Sequence, residues 1–268
     1  MLMKRGSICW RIVCVLTLAA LVGTIVLLEM LRVRSSEAAL LGLPAPDRMV
    51  GVSPAQSLPF LRGVRLDANN PLQLEFIVDK GSASSVKQDE VATLIRYFLA
   101  GLTVPEDQLW VNLSPYESDR VIDEEVAATD LGRGLLEQDY LLKQLASSLT
   151  HPDTPTGEAY WRVENGKSTI ENRLGKIWIV PDKAEVYEQG TTVVITESSL
   201  KLQCEDEAQQ VLLPTITKDV NEGKNFAKLR QIYHSLILAK WFKTKLRDSL
   251  YAAYIDAHKL KGIDTCDP

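Results

Sequence analysis

The residues best suited to chemistry gather in one stretch. Asp119, Asp123, Glu124, Glu125 and Asp130 precede a run of helical pattern, Glu137 and Asp139 lie inside it, and Arg120 and Arg133 stand among them. Glycoside hydrolysis needs two carboxylates flanking one bond, one of them kept protonated by an apolar wall. On that chemistry Asp119, Arg120, Arg133 and Asp139 form the candidate catalytic cluster. Adjacent acids are also the ordinary composition of a solvated loop or a helix N-terminus. The pairs Asp119-Arg120 and Arg133 with Glu137 (i, i+4) are expected to be ion pairs that fix a loop against a helix.

Other reaction centres fare less well. No Gly-x-Ser-x-Gly elbow, His-Glu-x-x-His pair, phosphate-binding loop or Gly-x-Gly-x-x-Gly occurs. The three histidines, His151, His234 and His258, have no histidine at i+3 or i+4, so no metal site and no cofactor are expected. His234 and Ser235 are adjacent on a helical pattern and point to different sides, which excludes them as a base–nucleophile pair. Cys204 is followed by Glu205 and Asp206, whose charge disfavours a thiolate. With Cys266 it forms the disulfide candidate of the C-terminal part, bridged or open according to compartment. Trp241 and Phe242, between Lys240 and Lys243, cannot both face inward on one helix, so they are the candidate interaction residues.

These groups need elements to position them. Leu72–Asp79 alternates as a strand with Leu72, Leu74, Phe76 and Val78 on one face. Asp89–Leu102 has helical spacing, with two acids on the favourable end of the dipole. Leu109–Leu113 reads as a second strand. A long amphipathic helix follows at about Leu131–Leu149, capped by Thr129 or Asp130 and stopped at His151-Pro152. Its apolar face is Leu135, Leu136, Leu142, Leu145 and Leu149. Lys176–Pro181, Ala184–Glu188 and Thr192–Cys204 are β-rich, with a turn at Glu188-Gln189-Gly190. Val211–Asn221 and a long segment from Phe226 to near Leu260 return to helix. The fold class is therefore α+β: an N-terminal transmembrane helix, then one mixed domain with a small antiparallel sheet and long amphipathic helices.

The transmembrane assignment rests on the seventeen apolar or small residues Ile12–Leu28, preceded by Lys4, Arg5 and Arg11. A signal-anchor over 1–34 is the expectation, with the N-terminus cytoplasmic because basic residues favour that side. A secretory signal cleaved after Ala38 is the alternative. Residues 35–62, with four prolines, read as a linker, and 63–268 as the extracytoplasmic domain. Of 30 basic and 35 acidic residues, five and one lie in 1–34, which leaves 25 and 34 over 35–268, a net of −9. So acidic a domain repels phosphate backbones, and nucleic acid is not an expected partner. The membrane, through 12–28, and another envelope protein are.

Four long motifs carry a resemblance: LWVNLSPYESDR (109–120), TDLGRGLLEQDYLLKQLASSL (129–149), KIWIVPDKAEVYE (176–188) and VNEGKNFAKLRQIYHSLILAKWFKTKL (220–246). Over roughly 70–262 the chain resembles a group of uncharacterised, exported or membrane-anchored bacterial proteins. The resemblance implies an envelope location and brings no activity or site residue with it. The leading expectation is a non-catalytic structural or interaction module of the cell envelope. A hydrolase of unfamiliar type, acting on envelope glycan or peptide, is the rival.

Overall fold

The structure is a computed structural model that describes residues 43–45, 48–67, 73–103, 124–164, 177–204 and 208–260, with side chains in the last stretch to Leu246. The apolar run 12–28, the strand expected at Leu109–Leu113, Asp119, Arg120 and Cys266 lie outside the described residues. Among those described, no helix is long and apolar enough to cross a membrane.

The fold is α+β. Four antiparallel strands, β1 (Phe60–Leu66), β2 (Leu74–Asp79), β3 (Ile177–Gln189) and β4 (Thr192–Cys204), lie in the order β2-β1-β4-β3. The helices are α1 (Gln88–Thr103), α2 (Glu124–Ala127), α3 (Asp130–Leu149), α4 (Pro155–Glu164), α5 (Leu213–Glu222) and α6 (Ala227–Leu260), with a 3-10 turn at Ala208–Val211 before α5. The chain divides at Arg48/Met49, and the unit described below begins at Met49.

Period-2 patterning places the sheet. Leu74, Phe76 and Val78 of β2 turn toward the core, as their alternation requires. Val193 and Ile195 of β4 are buried beside them, and Leu200 and Leu202 continue the row. β3 runs unbroken through Pro181, where two segments were expected. Proline is tolerated there because β3 is an edge strand, and the register shifts between Pro181 and Lys183. The hairpin closes at Gly190, whose φ of 61° is the left-handed conformation glycine adopts at little cost.

β1 corrects the linker expectation. The last residues of the stretch read as linker are part of the fold: Phe60 and Leu61 are buried in a central strand. A bulge at Arg62 breaks the alternation that would have revealed it. β1 pairs with β4 only over Gly63–Arg65, so its first residues peel away from β4. Upstream, Gln56 N–H donates to Glu222 O at 2.9 Å and Lys224 N–H to Pro54 O at 2.9 Å, so residues 51–57 strap across the α5–α6 junction.

α6 is the hub. It packs on α1, α3, β1 and β4, which is why Phe226, Ile232, Tyr233, Leu236, Leu238 and Ala239 are all buried although they do not share one stripe. At Gly101 of α1 a Cβ would sit 2.9 Å from Leu236 and 3.0 Å from Ala239, so glycine permits the close α1–α6 approach. Phe98 meets Phe76 edge-on at 5.1 Å and Phe242 at 6.0 Å, joining sheet, α1 and α6. Each such buried side chain contributes roughly 1.5–3 kcal/mol against at most about 1 kcal/mol for an exposed ion pair. Packing of α6, more than the charged surface, therefore sets the architecture.

α3 starts where its capping residue predicts: Thr129 Oγ1 accepts from Gly132 N–H at 3.0 Å. Its buried stripe is Leu131, Leu135, Gln138, Leu142 and Leu145, spaced 4, 3, 4, 3. Leu136, expected on the apolar face, is 41% exposed because it falls outside that spacing.

Candidate functional site

The carboxylate–arginine cluster does not converge in its described half. Arg133 pairs with Asp130 and donates to Ala128 O at 3.0 Å. Asp139 pairs with Lys143 one turn on, its carboxyl pushed upward by burial. The Arg133–Glu137 pair expected from i, i+4 spacing does not form. Glu137 is buried and reaches Lys228 of α6 instead. Gly134 lies against that pair: a Cβ there would stand 2.7 Å from Ile232 and 3.4 Å from Lys228. The Gly-Arg-Gly of the sequence is thus a helix start and a contact point for α6. Beside it the Tyr97 hydroxyl is pushed up to about 12, by burial first and then by the Glu137 and Asp130 charges. The Glu137–Lys228 pair joins α3 to α6, and Arg96 of α1 pairs with Asp130 of α3.

Trp241 and Phe242 are both taken up by the protein's own contacts. Phe242 lies in the core against Phe98, and Trp241, half-buried, donates its indole N–H to Glu188 Oε2 at 3.0 Å. Lys245 pairs with the same carboxylate, holding it below its usual range. Trp241 and Lys245 therefore tie the hairpin tip to α6. His151, at the end of α3, faces Asp153 at 3.6 Å on an exposed turn. Among the described residues no three His, Cys, Asp or Glu side chains are grouped to hold a metal.

Three features were not anticipated. The first is a Ser–His contact. Adjacency excluded Ser235, which is fully buried and bonds back to Gln231 O at 3.0 Å. His234 instead meets Ser198 of β4, with Oγ and Nε2 2.7 Å apart. Its ring packs on Phe60 at 4.4 Å, and Nδ1 is buried with no hydrogen-bond partner. His234 thus bridges β1 and β4 where their ladder has ended. Burial, then the Arg62 and Arg230 charges, push its pKa down to about 4 against a weaker pull from Asp79. The imidazole is neutral at pH 7, as a general base must be, but a weak one.

The second is the open face of the sheet. Ile77, Gly63, Val194 and Tyr187 are register partners across all four strands. A Cβ on Gly63 would touch Ile77 at 3.3 Å and Val194 at 3.2 Å, which places those side chains on one face. Ile77 is 40% and Tyr187 58% exposed, while Val194 is half-buried and Gly63 buried between them, so the row opens to solvent at its two ends.

The third is an open groove of about 700 Å³ where the far end of the hairpin meets α5. Trp178, Gln203 and Gln210 supply its polar groups, Leu202, Leu213 and Pro214 its apolar wall, and Cys204 lies at the strand end. Asn221 positions α5 here by copying a strand: its side chain accepts from Leu200 N–H at 2.9 Å and donates to Leu200 O at 2.8 Å. Only β-rich composition at 176–204 hinted at this site, since the groove needs the 3-10 turn and α5 to complete it.

No family model, curated protein or solved structure matches the chain. The site is therefore read from its own chemistry.

Proposed function

We propose that the protein is a single-pass, membrane-anchored module whose α+β domain lies outside the cytoplasm and binds another component of the cell envelope without catalysis. The apolar run 12–28 with its basic flank supports the anchor, and the resemblance of the four long motifs supports the same location. The observation that carries the binding role is the apolar row Ile77–Gly63–Val194–Tyr187, exposed at its Ile77 and Tyr187 ends. An antiparallel sheet can leave one face in water, but that face is then usually polar. Here the neighbouring row, Glu75–Arg65–Thr192–Gln189, is polar and forms a rim, the layout of a small protein-docking surface.

The test is site-specific photocrosslinking from position 187 in native membranes, with position 197 as a control elsewhere on the hairpin. A discrete adduct from 187 alone supports the reading, and equal or absent adducts refute it. Protease accessibility of the domain in spheroplasts tests the location.

A second reading is favoured by one observation, the Ser198–His234 contact of 2.7 Å. In a hydrolase His234 would take the Ser198 hydroxyl proton as Oγ attacks an acyl carbon. It would return that proton to the departing alcohol or amine as that bond breaks, leaving an acyl-Ser198 that water hydrolyses. Labelling of Ser198 by a fluorophosphonate, lost in His234→Ala, would support it. Absence of labelling leaves the docking module.

A further inference from the structure

We infer that the groove between the hairpin end and α5 is a binding site for a neutral saccharide, of the N-acetylhexosamine class. The inference rests on reading the chain as a binding module and names a ligand at the end of the β3–β4 hairpin remote from Tyr187.

The argument begins with charge. Residues 35–268 carry a net −9, yet every described side chain lining the groove is uncharged. A nucleotide or an acidic peptide would find no cationic partner among these described side chains. A volume of about 700 Å³ is right for a few sugar rings or a short peptide.

Hydrogen-bonding capacity then separates those two. Trp178 and Gln203 are directly paired in the β3–β4 ladder, and the indole N–H donates to Gln203 Oε1 at 3.0 Å. That bond fixes the indole and leaves the Gln203 amide N–H groups to donate elsewhere. Gln210 is exposed at the groove and offers a second amide with both donor and acceptor. An apolar peptide side chain would cover these amides without satisfying them, at a desolvation cost. A pyranose matches both halves of the lining: its C–H face packs on an indole, and its hydroxyl edge exchanges hydrogen bonds with amides. An N-acetyl substituent adds a methyl for the wall formed by Leu202, Leu213 and Pro214 and an amide for Gln210. Because the groove is open, water competes along one side, and affinity is modest.

The full chain in detergent micelles, labelled with 5-fluorotryptophan, tests this. Its five tryptophans give five fluorine signals, and the one lost in Trp178→Phe belongs to the groove. Adding chitotriose, a β-linked trimer of N-acetylglucosamine, shifts that signal alone and saturates with a Kd on the order of 1 mM. Gln210→Ala, at an exposed position where folding is not at stake, weakens binding about tenfold, the worth of one good hydrogen bond. A Trp178 signal unmoved at ~10 mM trimer, one moved equally in Gln210→Ala, or one moved only by a proline-rich peptide overturns the inference. Crosslinking from position 187 reads the opposite end of the hairpin, so loss of either result leaves the other standing.

Discussion

Two corners of the molecule bury polar side chains, and they satisfy them to opposite degrees. At the strap, Asp219 is 3% exposed. Its Oδ1 accepts from Ser53 N–H at 3.0 Å and Ser53 Oγ–H at 2.6 Å, and Oδ2 accepts from Asn225 Nδ2 at 2.8 Å. Ser53 Oγ in turn accepts from Asn225 N–H at 2.9 Å. Arg230 donates to the carbonyls of Gln56, Val220 and Gly223 around the same junction. At the sheet corner His234 has one partner, an idle Nδ1 and a depressed pKa. The difference teaches what each corner is for. A carboxylate ringed by donors from a tight α5–α6 turn is a staple. A half-satisfied imidazole is a point where stability was given up to bridge two diverging strands.

The comparison can be broken from its strong side first. Asp219→Ala leaves the Ser53 and Asn225 donors facing a cavity, and should lower unfolding stability by about 3 kcal/mol, read as a shifted urea midpoint. A loss below about 1 kcal/mol would mean the strap is dispensable.

The next effect is pH-dependent. His234 titrates near 4 in the fold and near its ordinary 6.5 when unfolded. As pH falls through 6.5 the unfolded chain gains a proton that the native chain refuses until about 4. Stability is therefore lost across that window, by about 3 kcal/mol at its lower end. Asp139, whose carboxyl is raised by burial, acts in the opposite direction. The wild type minus His234→Phe difference isolates the histidine, and parallel pH profiles for the two proteins would refute its role.

Ser198→Ala sharpens the same corner. It removes the one partner of Nε2 and should cost about 1 kcal/mol, with the His234 pKa still depressed because burial is the main cause. As a baseline, Arg65→Ala breaks the exposed 3.5 Å pair with Glu75 on the open face. It should change stability by less than about 0.5 kcal/mol. A larger loss would show that the exposed face contributes to folding.

The sequence made visible whatever a dozen consecutive residues encode. The alternation of Leu74, Phe76 and Val78, the cap at Thr129, the turn before Gly190 and the length of α6 are all local patterns, and the structure has them. α4 was missed because it is only ten residues, opening at Pro155 behind Thr154, whose hydroxyl accepts from Gly157 N–H at 2.9 Å. β1 was missed because Arg62 and Gly63 interrupt its period and its burial comes from neighbours on both sides.

Tertiary structure alone decided which side chains meet. Glu137 finds Lys228 91 residues away, Ser53 finds Asp219 at 166, and Ser198 finds His234 at 36. Residue type and spacing fix which face of an element a side chain occupies, because backbone geometry repeats every 3.6 or 2 residues. They do not say which faces come together. That is settled by burying the largest apolar area around α6, and the groove, the open row and the histidine corner are what that packing left at its edges.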